Sequence, residues 1–85
     1  MTFDTLDVLL FGPLASRAGT GQITLSVEGF PVSCAALRKA LARSHPELAE
    51  SLPLHRFAVN GRFVGDEDVV REGDEVALIG MVSGG

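Results

Sequence analysis

Apolar residues recur at every second position in two segments near the start of the chain, and this pattern constrains the fold most. In residues 5–11, Leu6, Val8 and Leu10 lie on one side, and residues 22–27 repeat the same spacing. Successive side chains of a strand point to opposite faces, so both segments predict β-strands. Residues 14–21 predict a loop with at most one helical turn over 14–18. A loop this short predicts an antiparallel hairpin.

One helix is predicted after the hairpin. Ser33 is placed to act as its N-cap, since a serine hydroxyl can accept a hydrogen bond from the first helical turn. The helix ends before Pro46. Its apolar stripe consists of Leu37, Ala40 and Leu41. Its basic residues are predicted to face solvent: Arg38, Lys39 and Arg43.

The rest of the chain predicts three short strands. Residues 56–60 and 62–64 surround Asn60-Gly61, a dipeptide typical of tight hairpin turns, and residues 75–79 follow a turn at 71–74. Residues 47–54 predict a connection with a short helical turn. The order β-β-α-β-β-β predicts an α+β fold, a mixed sheet of about five strands with one main helix packed on one face. This order matches the β-grasp, or ubiquitin-like, architecture. We expect a domain over 1–80 and an extended tail over 81–85.

Composition excludes several functional classes. The 85 residues carry a net charge of −4 with no basic run, which argues against binding to nucleic acid. No apolar stretch approaches the roughly 20 residues of a membrane span, and the first residues do not resemble a signal peptide. The single cysteine cannot form an internal disulfide. We expect a cytoplasmic protein with no membrane contact.

Acidic residues at 66–68 and 74–75 suggest either a solvated turn region or a face that steers the domain to a basic partner.

The second face of the predicted sheet has more apolar residues than a solvated face should have. If the helix covers one face, then Leu9, Phe11, Ala77 and Ile79 point away from it, and Phe63 can join them. An exposed apolar surface of this kind usually marks a binding site. The alternative is that the loop at 14–21 or the connection at 47–54 folds over this face.

The chain ends in Val82-Ser83-Gly84-Gly85. Two glycines without side chains can pass through a slot too narrow for other residues, which would bring the terminal carboxylate into another protein. The alternative is a frayed terminus or a remnant of cloning. Met81 and Val82 extend the apolar character of the second face into this tail.

Three features together resemble the small subunit of molybdopterin synthase, the sulfur carrier of molybdenum cofactor biosynthesis. They are residues 60–64 (Asn-Gly-Arg-Phe-Val), residues 72–76 (Glu-Gly-Asp-Glu-Val) and the terminal Gly-Gly. The resemblance implies that an E1-like adenylating enzyme uses ATP to activate the carboxylate of Gly85. A sulfurtransferase then converts it to a thiocarboxylate, and the tail delivers the sulfur inside the large synthase subunit.

The resemblance also implies the site residues. Gly85 bears the sulfur and Gly84 is its slender neighbour, while Phe11, Phe63 and Ile79 contact the large subunit. We add Met81 and Val82 to the partner-binding set. The chain would be a non-catalytic subunit of a heterotetramer, with no bound cofactor or metal. Members of that family often have prolines where this chain has Gly80-Met81, so we expect a looser hinge here.

Two other functions fit the same ending. The sulfur carriers of thiamine biosynthesis share the fold and the diglycine, although they are usually shorter. A ubiquitin-like modifier would form isopeptide bonds with lysines of target proteins, and Lys39 is the only lysine of this chain. A plain binding module without a functional tail is the third alternative.

Cys34 is interpreted as a buried structural thiol rather than a persulfide carrier, and His45 and His55 as surface residues without metal-ligand spacing.

Overall fold

The computed structural model describes residues 4–80. Two short 3₁₀ turns, Pro46–Leu48 and Leu52–Leu54, connect the second helix to the strand that follows it. No helix within the described range is long and apolar enough to cross a membrane. In chain order the helices and strands are β1 (Asp4–Leu10), α1 (Gly12–Ala18), β2 (Gln22–Val27), β3 (Val32–Ser33), α2 (Cys34–Ser44), β4 (His55–Val59), β5 (Arg62–Phe63), β6 (Val69–Val70) and β7 (Val76–Gly80).

Five of these strands form one mixed sheet in the order β2-β1-β7-β4-β5. The pairing of β1 with β7 is parallel, and the pairings of β1 with β2, β4 with β7 and β4 with β5 are antiparallel. The predicted α+β architecture and the mixed five-stranded sheet are therefore confirmed. A separate antiparallel pair, β3 with β6, was not predicted.

Helix α2 packs on one face of the sheet and begins where the sequence predicts. The Ser33 hydroxyl accepts a hydrogen bond from the Ala36 N–H at 3.1 Å, which satisfies one of the free donors of the first turn. Leu37 and Leu41 are fully buried against the sheet. The core around them consists of Leu6, Val8, Leu10, Leu14, Ile23, Leu25, Val27, Cys34, Leu48, Leu52, Phe57, Val59, Val70, Val76 and Leu78.

The connection between β1 and β2, predicted as a loop with at most one helical turn over 14–18, contains the helix α1, which begins at Gly12. Pro13 lies in its first turn, where the fixed φ of proline suits a helix and its missing N–H has no cost. Leu14 is almost fully buried in the core, and Ala15 and Ala18 pack against it. The helix ends at Gly19, whose φ of +76° is the left-handed conformation that glycine adopts readily.

Arg38 does not face solvent, which corrects the prediction for the basic residues of α2. Its guanidinium lies over the Phe57 ring, 5.3 Å from the centroid, and donates to the backbone carbonyls of Leu52 and His55. It also forms an ion pair with Asp66 at 3.1 Å. Arg38 therefore ties α2 to the start of β4, whereas Lys39 and Arg43 are exposed as predicted.

Candidate functional site

The sheet face opposite α2 carries an apolar row that crosses four strands. In the register of the sheet, Leu9 of β1 lies beside Ala77 of β7, Ala77 lies opposite Ala58 of β4, and Ala58 lies opposite Phe63 of β5. Residues in register on adjacent strands point to the same face, so these four side chains form one continuous surface.

Phe11 and Ile79 extend this row at the end where β7 stops. Phe11 is 53% exposed and Phe63 is 52% exposed, although both are large apolar side chains. Between them lies a shallow groove of about 310 Å³ whose rim also includes Gly61 and Glu75. We call this surface the outer patch; it consists of Leu9, Phe11, Ala58, Phe63, Ala77 and Ile79.

Neither of the two segments that were considered as covers lies over the outer patch. The 14–21 segment places Leu14 in the core, and the 47–54 segment places Leu48 and Leu52 there, on the α2 side of the sheet. The alternative that a loop covers the second face is therefore wrong for the described residues. An exposed apolar surface of this kind on a small protein is typical of a docking site.

The turn at Asn60-Gly61 determines where Phe63 lies. Both residues have positive φ, 52° and 80°, as a tight two-residue hairpin turn requires. The Asn60 side chain donates to Asp74 Oδ1 at 2.9 Å and accepts from the Glu75 N–H at 2.9 Å. The hairpin that carries Phe63 is thereby attached to the turn that precedes β7.

Asp74 stabilises the same corner of the molecule. Its Oδ2 accepts a hydrogen bond from the Arg71 N–H at 2.8 Å. This bond and the one from Asn60 favour the charged carboxylate, so the pKa of Asp74 lies below its ordinary value of 3.8. The corner that joins the β4–β5 turn to the start of β7 is thus held by an ionised side chain.

Strand β7 leads directly to the predicted tail. Its last residue, Gly80, pairs with His55 of β4, and a Cβ added to Gly80 would lie 3.2 Å from His55 Nε2. The ring is fixed from its other side, because His55 Nδ1 donates to the Ser51 carbonyl at 2.7 Å. Gly80 is therefore a paired strand residue next to the imidazole, while Met81, the other residue of the predicted hinge, lies outside the described residues.

The remaining predicted site residues lie outside the described residues. These are Met81, Val82, Gly84 and Gly85, and the division between a domain at 1–80 and a tail at 81–85 is likewise a prediction that the structure does not test. The structure brings Phe11, Phe63 and Ile79 together on one face, as the sequence predicted.

Comparison with known families identifies the chain. The sequence model of the ThiS family matches residues 8–85, which is nearly the whole chain. The chain belongs to the ThiS family of β-grasp sulfur carriers. A search of curated proteins by sequence found no significant match for this ThiS-family chain.

Solved structures confirm the β-grasp fold of this ThiS-family protein. SAMP1 from Haloferax volcanii superposes with a TM-score of 0.81 at 27% identity, over 96% of this chain and 100% of SAMP1. A putative molybdopterin converting factor subunit 1 from Pyrococcus furiosus has a TM-score of 0.77 at 20% identity, over 92% and 98% of the two chains. The complex of subunits 1 and 2 of the Helicobacter pylori molybdopterin-converting factor gives 0.63 at 19% identity, over 96% and 100%. The last two likenesses show the fold alone.

The sequence also makes predictions for residues outside the outer patch. Cys34 is fully buried, as predicted, and burial together with the charges of Asp68 and Asp66 raises the pKa of its thiol. His45 and His55 are partly exposed, and His55 Nδ1 also donates to the Ser51 carbonyl. Within residues 4–80 of the ThiS-family chain, no group of three or more His, Cys, Asp or Glu side chains is placed to hold a metal ion.

Two contributors to the site were not predicted from the sequence. Ala58 lies in the middle of the outer patch, and the Arg56 guanidinium lies over the Phe63 ring, 5.3 Å from its centroid. A signal for both exists in β4, because Phe57 and Val59 are apolar core residues and the alternation places Arg56 and Ala58 on the opposite face.

Proposed function

We propose that this ThiS-family protein is the sulfur carrier of molybdenum cofactor biosynthesis, the small subunit of molybdopterin synthase. One observation carries the proposal: the exposed outer patch includes two residues of β7, Ala77 and Ile79, and β7 leads directly to the diglycine tail. A partner that binds the patch is therefore positioned to receive the tail.

The proposed chemistry takes place at the carboxylate of Gly85. The carboxylate attacks the α-phosphate of ATP in the E1-like adenylating enzyme, which releases pyrophosphate and gives an acyl-adenylate. A sulfurtransferase persulfide displaces AMP, because AMP is a far better leaving group than an oxide ion, and a thiol reductant then cleaves the S–S bond of the acyl disulfide to leave a thiocarboxylate and a disulfide. In the large synthase subunit the terminal sulfur attacks a carbon of the pterin precursor and displaces an oxygen leaving group from it. Water then cleaves the acyl C–S bond, which leaves the sulfur on the precursor and restores the carboxylate.

Residues of this chain act by docking and by delivering the tail in this scheme. Phe11, Phe63 and Ile79 bind the large subunit, Met81 and Val82 continue that contact, and Gly84 lets the terminus pass through a narrow slot. The partners supply the acid–base groups. The molybdenum pathway is favoured over the thiamine pathway because the β1–β2 connection holds a complete helix, α1, which agrees with the longer members of the fold.

A second candidate function is that of a ubiquitin-like protein modifier. The observation that favours it is the likeness to SAMP1, a small archaeal modifier protein, at 27% identity over almost the full length of both chains. Both functions begin with adenylation of Gly85 and differ in what attacks the activated carbonyl, a sulfur donor or a target lysine.

Mass spectrometry after incubation with the adenylating enzyme, ATP and a sulfurtransferase distinguishes the functions. We expect one oxygen of the terminus to be replaced by sulfur, and we expect the product to form molybdopterin with the large subunit. A variant without Gly85 should fold normally and form no product. Branched peptides on other proteins would support the modifier function, and transfer to a thiazole synthase alone would assign the chain to the thiamine pathway.

A further inference from the structure

We propose that Arg56 forms an ion pair with a carboxylate on the partner protein that binds the outer patch, and that this pair orients the patch on the partner. The proposal rests on the proposed function, because it concerns the chemistry of the docking partner. No residue of the outer patch is charged, so Arg56 adds a specific polar contact to a surface that otherwise offers apolar contact area.

Arg56 lies at the end of the outer patch from which the tail leaves. Arg56 is the cross-strand partner of Ile79, the residue of β7 that precedes Gly80. Its guanidinium lies over the Phe63 ring at 5.3 Å, within the range of a cation–π contact. Packing against an aromatic ring reduces the freedom of the long side chain, so the charge is held beside the apolar surface.

The Arg56 charge has no counter-ion among the described residues. Within residues 4–80 the one ion pair joins Arg38 to Asp66, on the side of the sheet that carries α2. The chain has eleven acidic residues, yet none of the described ones pairs with Arg56. A cation on the rim of an apolar surface, with no counter-ion within residues 4–80, suits a partner that presents a carboxylate next to its own apolar contact residues.

The charge at the opposite end of the groove has the opposite sign. Glu75 lies on the rim just before β7 begins, while Arg56 lies near the last residues of β7. A partner with the reverse arrangement would bind this surface in one orientation and meet like charges in the inverted one. Correct orientation determines which way β7, and therefore the tail, points.

The anion that meets Arg56 could be a protein carboxylate or a nucleotide phosphate, and the reach of the tail favours the carboxylate. Five residues follow Gly80. Fully extended, five residues span up to about 17 Å, so a threaded tail places the reacting carboxylate, and any phosphate attached to it, far from Arg56. The group that meets Arg56 therefore belongs to the protein surface outside the slot.

The proposal is tested by isothermal titration calorimetry at low and high salt. The chain is titrated with the large synthase subunit and, separately, with the adenylating enzyme. We expect Arg56→Met to weaken binding about fivefold at low salt, with a smaller loss at high salt, and Arg56→Glu to weaken it further. Lys39→Met removes the same charge from the exposed side of α2 and is the control. Thermal unfolding of each variant verifies that it is folded.

The outcomes separate this proposal from the proposed function. If Phe63→Ala weakens binding while Arg56→Met and Arg56→Glu behave like Lys39→Met, the ion pair does not exist and the docking function stands. If the wild-type chain binds neither partner, both are overturned. Restored affinity when Arg56→Glu is combined with an acidic-to-basic substitution on the partner would identify the carboxylate.

Discussion

Replacing Phe63 with alanine tests whether the outer patch is the docking surface. About half of this side chain, 52%, is exposed in the free protein. A phenylalanine buries roughly 200 Å² when fully covered, so about 100 Å² remains for a partner to cover. At about 25 cal/mol per Å², burial of this area contributes about 2.5 kcal/mol to association. An alanine at this position would still bury its methyl group and would keep a small part of this contribution.

We therefore expect Phe63→Ala to weaken binding to the large synthase subunit by about 2 kcal/mol, or roughly 30-fold in Kd. The effect on folding should be smaller. Phe63 lies in the edge strand β5, where its cross-strand contact with Ala58 is worth about 1 kcal/mol or less. A loss of affinity that exceeds the loss of unfolding free energy is the signature of a docking residue.

Calorimetric titration gives the Kd, and urea unfolding gives the stability of the same preparations. Val69→Ala is a matched control, because Val69 is an exposed apolar residue of β6, in the separate β3–β6 sheet. If Phe63→Ala binds within about threefold of the wild type, or if Val69→Ala weakens binding equally, the outer patch is not the docking surface and the area argument fails.

Three further substitutions test the framework around the patch. Arg38→Met should lower the unfolding free energy by about 1–3 kcal/mol in urea titrations, because the Leu52 and His55 carbonyls lose their donor; Lys39→Met, exposed on the same helix, should change it little. Gly80→Ala should lower the melting temperature, since the new Cβ would lie 3.2 Å from His55 Nε2, and a His55→Ala background should remove the effect. Asp74 has a lowered pKa, so its contribution to the unfolding free energy is present at neutral pH and is lost as the pH falls below 3.8. The Asp74→Asn variant should therefore lose less unfolding free energy over that pH range than the wild type. Parallel profiles of unfolding free energy against pH would contradict this reasoning.

The part of the site that could be predicted follows from the geometry of strands. An alternating strand places its residues on two faces without further information, so Leu9, Ala77 and Ile79 could be assigned to the face opposite the helix. The assignment of Phe63 needed only the Asn60-Gly61 turn, because a two-residue hairpin fixes the register of the strands on either side.

The features that were not predicted depend on contacts between distant segments. Pairing of β3 with β6 joins Val32 to Val70, and neither two-residue strand has an alternation long enough to detect. Arg38 lies one helical turn from Cys34 and Leu41, at the edge of the buried face of α2, and the Leu52 and His55 carbonyls there make burial of its guanidinium favourable. The sequence predicts only a helical turn over 14–18, and not the start of α1 at Gly12, because Gly12-Pro13 ends the strand pattern although a proline also favours the start of a helix.

Strand β7 has three roles, and its central position allows it to perform them together. Val76 and Leu78 anchor it in the core, while Ala77 and Ile79 contribute to the outer patch from the opposite face. The strand is paired with β1 up to Leu78 and with β4 up to Gly80. Binding of the patch therefore fixes the origin of the tail relative to the partner, so that insertion of the tail becomes an intramolecular step. Two glycines offer little surface for binding, and under the proposed function the patch would supply the affinity while the tail supplies the reacting group.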